Sequence, residues 1–149
     1  MPEPSRKRNR SAEPQDLEAL MGNKPPQAID VEAAVLGAML VEPATIDESM
    51  EELSASCFYD PHHRMIFEAM SELVNEHVSI DLVTVSEKLR SKGNLEIIGG
   101  PVVLAGLSQN IAAAAHIEYY IKILKQKTIQ RDLITASYEI LKQSFDEST

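Results

Sequence analysis

From residue 116 to residue 147 the chain reads HIEYYIKILKQKTIQRDLITASYEILKQSFDE, with no Pro, no Gly and no turn cluster. Ile117, Ile121 and Leu124 form one apolar row. Further on, Ile129, Leu133, Ala136 and Ile140 are joined about 100° around by Ile134, Tyr138, Leu141 and Phe145. This spacing predicts one continuous helix whose apolar stripe widens toward its C-terminal end. At about 1.5 Å per residue it is roughly 48 Å long, against a diameter of roughly 35 Å for a compact head of about 100 residues. A turn or more is therefore expected to overhang, with apolar surface that calls for a partner helix.

The earlier pattern is also helical. In PPQAIDVEAAVLGAML, Val31, Ala34, Val35, Ala38 and Met39 recur at helical spacing, Asp30 is the expected N-cap, and Pro43 ends the run. Gly37 inside this helix lowers its propensity by about 1 kcal/mol and points to a close helix approach. A short helix over residues 44–53 follows, its exposed side acidic through Asp47, Glu48, Glu51 and Glu52. In CFYDPHHRMIFEAMSELVNEH, Asp60 caps and Pro61 takes the first helical position, where its missing N–H is harmless. Ile66, Phe67, Met70, Leu73 and Val74 supply that helix's inner stripe, with Phe58 and Tyr59 folding back over it. Asp81 caps DLVTVSEKLRSKG, with Leu82, Val85 and Leu89 inward and Gly93 at the left-handed C-terminal position. Gly100 and Pro101 open a short helix through Val103, Leu104 and Leu107, closing near Asn110, and IAAAAH links it to the long helix. LEII is too short to argue for a strand. The fold class expected is all-α: about five helices in a head over residues 27–112, then one long helix over residues 113–149.

Residues 1–26 hold five of the eight prolines and the basic run Arg6, Lys7, Arg8, Arg10, with few large apolar residues. They read as a flexible tail without enough surface to bury. The whole sequence is 44% hydrophobic, and the chain beyond the tail is sufficient for one core. A net charge of -9 opposes binding of the folded part to a phosphate backbone. The single cysteine, Cys57, excludes an internal disulfide. No secretory signal or membrane-length apolar run is present, which places the expected residence in the cytoplasm.

No G-x-x-x-x-G-K-[ST] phosphate loop and no nucleophile-elbow sequence occur, so neither a cofactor nor a catalytic role is expected of this chain. Cys57, Asp60, His62 and His63 have metal-ligand chemistry, but adjacent histidines on a helix point about 100° apart and no second cluster completes four ligands. His63 reads instead as a structural residue hydrogen-bonded near the preceding loop. The would-be recognition segment of a helix-turn-helix, PVVLAGLSQN, lacks any Arg or Lys to reach phosphates or guanine edges.

Five ordered blocks, PPQAIDVEAAVLGAML, FYDPHHRMIFEAM, DLVTVSEKL, IIGGPVVLAGL and HIEYYIKILKQKTIQRDLI, resemble the N-terminal domain of the bacterial hexameric replicative DNA helicase, the DnaB family. The resemblance covers roughly residues 25–147. It implies a helical head followed by a helical hairpin. Paired hairpins build a collar of six domains as a trimer of dimers, set on an ATP-driven motor ring around single-stranded DNA. The implied partners are further copies of the same domain, the C-terminal domain of the DnaG primase, and helicase loaders. Val103 in the head loop, and Arg131, Ile134 and Ile140 on the arm, fall at positions that the family uses for assembly and primase docking. The chain stops about where the family turns into the second arm, so it reads as a fragment without that arm, the linker or the motor domain. ATP and Mg are implied for the absent motor alone. The basic tail is not part of the family pattern. A free-standing helical adaptor for another helical partner is the alternative reading of the same stripe.

Overall fold

The computed structural model describes residues 22–109 and 111–146 of the chain. The basic run at residues 6–10, with the rest of the expected tail up to residue 21, lies outside the described residues. Six α-helices and no strand occur among the described residues: α1 (Ile29–Val41), α2 (Ile46–Glu52), α3 (Pro61–Asn75), α4 (Leu82–Ser91), α5 (Pro101–Leu107) and α6 (Ile117–Ser144). Short 3-10 helices at Pro43–Thr45, Ala55–Cys57 and Ile111–His116 join them. The described residues fall into two units, one of Gln27–Thr128 and one of residues 22–26 with residues 129–146, so that α6 is divided between them.

Within the larger unit α1 is the central element, in contact with α2, α3, α5 and the 3-10 helix at Ile111–His116. Ala34, Val35, Leu36, Gly37, Ala38, Met39 and Leu40 are all buried. Its apolar positions therefore cover every side, whereas spacing alone predicts a single inner stripe. Asp30 is not its cap. The N-cap is Ala28, whose carbonyl accepts from the Glu32 N–H at 3.0 Å, and Asp30 lies in the first turn, where its charge complements the helix dipole.

The helix expected over residues 44–53 divides in two. Pro43 opens a 3-10 turn in which the Thr45 N–H and hydroxyl both donate to the Glu42 carbonyl, at 3.0 and 2.8 Å, and α2 starts only at Ile46. The start of α3 follows the expectation: Asp60 Oδ1 accepts from the N–H groups of His62 and His63 at 2.7 and 3.3 Å, with Pro61 first in the helix. α4 begins with a reciprocal cap, the Thr84 N–H donating to Asp81 Oδ1 and the Asp81 N–H to Thr84 Oγ1, and Gly93 follows it at φ +74°. Leu82 is not inward: as the first residue of α4 it is 38% exposed, while Val85 and Leu89 are buried. α5 closes at Leu107, earlier than expected, and Asn110 lies outside the described residues. The alanine-rich link is itself a 3-10 helix.

The core is one cluster in which Leu36, Met39, Ile66, Met70, Leu89, Leu104 and Leu124 are fully buried. Phe58 folds onto Phe67 with ring centroids 4.8 Å apart, as its place before the α3 cap suggests. Glu32 on α1 has no exposed surface either. Its carboxylate accepts from the Tyr59 N–H at 2.9 Å and the Asp60 N–H at 3.2 Å, and pairs with His63 Nδ1 at 3.1 Å. A carboxylate offers acceptors, so Nδ1 carries the hydrogen of that contact. Arg64 donates through Nε and Nη2 to the Phe58 carbonyl at 3.3 and 3.1 Å. One acid from α1 and one cation from α3 thus satisfy the loop that positions α3.

Candidate protein-docking surfaces

In the second unit the C-terminal half of α6 carries two apolar faces. At about 100° per residue, Ile129, Leu133, Ala136 and Ile140 lie within about 60° of one another, whereas Arg131, Ile134 and Tyr138 sit some 100–200° around. Burial divides the same way. Ile129, Leu133 and Ile140 are 57%, 61% and 66% exposed, forming a bare row. Arg131 is buried, and Ile134, Thr135 and Tyr138 are half-buried. Leu141 and Phe145, 56% and 78% exposed, carry apolar surface on toward the helix end.

The three arm residues singled out from sequence are therefore not on one surface. Ile140 belongs to the bare row. Ile134 lies on the half-buried face, and Arg131 turns its guanidinium inward, where Nη1 donates to the Pro26 carbonyl at 2.9 Å. Burying a guanidinium is costly unless it is hydrogen-bonded, so this contact fixes the segment leading into α1.

In the larger unit, Val103 is half-buried against the core. It lies in the first turn of α5 and not in a loop; its neighbour Val102, 75% exposed, is the residue that this turn presents to solvent, together with Ile97 at 52% just before the helix. The backbone turns sharply here, Gly99 at φ +109° and Gly100 at φ +82°, with the Gly100 N–H donating to the Leu95 carbonyl at 2.9 Å. An apolar pair of valines in sequence does not reveal which one faces out. Nor does it reveal the Glu32 network, for which the one signal is a lone carboxylate inside an apolar run.

Of the side chains with metal-ligand chemistry, His63 faces Glu32 and Asp60 caps α3, each engaged in holding the loop. No group of three His, Cys, Asp or Glu side chains able to hold a metal occurs among the described residues. Near the start of α6, Lys125 Nζ donates to Glu52 Oε2 at 2.5 Å. That hydrogen bond, with the charge of Glu52, raises the ammonium pKa above its usual 10.5. Being exposed, the pair adds little to stability. Among the described residues no helix is long and apolar enough to cross a membrane.

The sequence profile of the DnaB-like helicase N terminal domain matches residues 24–126. The chain is 43% identical over 110 residues to the replicative DNA helicase DnaB of Rhodothermus marinus, covering 74% of this chain and 12% of that protein. It is 34% identical over 135 residues to the DnaB of Treponema pallidum, covering 91% and 31%. The chain thus spans less than a third of the length of these curated relatives. Among solved structures, the N-terminal domain of DnaB helicase from Mycobacterium tuberculosis superposes with a TM-score of 0.80 at 31% identity, covering 85% of this chain and 89% of that one. Fold and comparisons define an all-α domain of the kind that stands at the N-terminus of DnaB helicases. The chain belongs to the DnaB-like helicase N-terminal domain family.

Proposed function

We propose that this domain assembles a replicative helicase and docks its partners in the cytoplasm at the replication fork. It pairs with further copies of itself toward a trimer-of-dimers ring, and recruits the primase through that enzyme's C-terminal domain; a helicase loader engages the same parent. In this reading ATP and Mg belong to the parent's motor domain and not to the residues of this chain. The observation that carries the proposal is the bare row Ile129, Leu133, Ile140 on α6. Three large apolar side chains in line on one helix face are the anchors of helix-to-helix docking.

Fully covering a Leu or Ile side chain is worth about 1.5–3 kcal/mol. Leu133→Asp with Ile140→Asp is therefore expected to weaken self-association at least about 100-fold, measured by sedimentation over a concentration series, with the helical signal of the head unchanged. An association constant within about threefold of the parent chain's would remove the row from the interface. For recruitment, an amide-resolved NMR titration with the C-terminal domain of the cognate primase is expected to shift residues near Val102 and Val103 and along residues 131–140. A chain extended through the second arm serves as the positive control. Binding by neither form would sink the primase reading and leave assembly alone.

A further inference from the structure

We propose that an open groove between α3 and α4 docks a segment of another protein in which apolar residues are flanked by Lys or Arg. The groove belongs to the larger unit, and α3, α4 and the residues joining them supply its whole lining. It shares no residue with the surfaces assigned above to assembly and recruitment, so the two assignments stand or fall separately.

The groove follows from how α3 ends. The His77 N–H donates to the Val74 carbonyl at 3.1 Å and the Val78 N–H to the Leu73 carbonyl at 2.9 Å, with His77 left-handed at φ +59°. In such an ending the residue at the position of Val78 ordinarily covers the helix's last turn. Here Val78 stays 39% exposed, and Val83, in the first turn of α4, is 70% exposed. Together with Leu73 they give apolar lining to a groove of about 410 Å³. An exposed apolar patch rimmed by polar side chains marks an interaction surface.

The charges on the two helices select the partner. Three ion pairs occur here: Lys88 with Glu76, Arg90 with Glu87, and Lys92 with Glu72 at 3.0 Å. In each the carboxylate is the more exposed member, most clearly for Glu76 at 52% against Lys88 at 18%. The cations are thus held closer to the protein and the acids turned outward, two of them, Glu76 and Glu87, at the groove itself. An outward acidic rim repels a phosphate backbone. A second copy meeting this patch through its own would set carboxylate against carboxylate, because a two-fold contact joins a surface to itself. A basic segment meets neither obstacle: its apolar residues cover Val78 and Val83 while its cations reach Glu76 and Glu87.

The test is NMR on the full 149-residue chain with labelled Leu and Val methyl groups. Three synthetic helical peptides, each about four turns long, serve as probes: one with a Leu stripe flanked by Lys, one with the same stripe flanked by Glu, and one with Lys flanks but Ser in place of Leu. The first is expected to shift the Val78 and Val83 methyls saturably and to bind at least about tenfold more tightly than either control. Val83→Ser should weaken it about tenfold with the melting temperature unchanged, because the side chain it removes is largely exposed. Glu76→Gln with Glu87→Gln should weaken it roughly fivefold. Equal binding of the Lys and Glu peptides, or shifts that miss Val78 and Val83, overturns the proposal. So do methyl shifts that move with protein concentration alone, which assign the groove to a second copy. Shifts that move when residues 1–21 are deleted also overturn it, and assign the groove to the chain's own N-terminal segment.

Discussion

Replacing Glu32 with alanine is expected to destabilise the domain by about 4 kcal/mol, because it removes the acceptor of three donors, each left unsatisfied at a cost of about 1–3 kcal/mol. Three donors converge on this carboxylate, the N–H groups of Tyr59 and Asp60 and His63 Nδ1. For a unit of about 100 residues that loss corresponds to a fall in melting temperature of roughly 15–30 °C, a large share of the stability of an ordinary domain. Glu32→Gln keeps the shape but offers one oxygen and an NH2 to three donors, so about half the effect is expected. The two variants also predict a local signature. Amide hydrogen exchange at Tyr59 and Asp60 should accelerate in both, before the amides of α1 or α3 respond. A loss below about 1 kcal/mol for the alanine variant, with those amides still protected, would mean that the loop holds its conformation without Glu32.

The same carboxylate shows where one-dimensional pattern stops being informative. Helix starts at Asp60 and Asp81 were legible because a capping side chain bonds to N–H groups two or three residues away, and local chemistry is written in local sequence. The end of α4 at Gly93 belongs to the same category. Asp30 misleads for a related reason: it is a good capping residue, but the chain begins the turn two residues earlier, where the Ala28 carbonyl already accepts from Glu32. Leu82 misleads because a first-turn residue of α4 has no element above it, although its spacing matches Val85 and Leu89.

Long-range matters were less accessible. The bond from Glu32 to His63 spans 31 residues and that from Arg131 to Pro26 spans 105; nothing in spacing or propensity connects such pairs. On the long helix, the apolar positions were visible as a widening stripe. Its division into a bare row and a half-buried face depends on what lies against Arg131, which is a tertiary fact. Spacing sets Ile134 and Ile140 on different sides of the helix, but only burial tells which side is covered.

The turn before α5 gives the second large effect. A Cβ built on Gly99 would lie 2.7 Å from Val103 Cγ2, and Gly99 has φ +109°, where a side chain is strained in any case. Gly99→Ala is therefore expected to cost about 3 kcal/mol, of which the backbone accounts for about 1–2 kcal/mol. Gly100→Ala isolates that backbone part, because Gly100 has φ +82° but nothing within 4 Å of its added Cβ. Val103 has little freedom to withdraw, since a β-branched side chain in a helix has one strongly preferred rotamer and this one packs half-buried on the core. Adding Val103→Ala to Gly99→Ala should then recover about 1 kcal/mol relative to the sum of the single changes, whereas Val103→Ala with Gly100→Ala should be additive. Denaturant unfolding of the five variants measures all these terms. Equal losses for Gly99→Ala and Gly100→Ala would show that Val103 yields at no cost, and the close packing of Val103 on Gly99 would then not be what orients the exposed Val102 beside it.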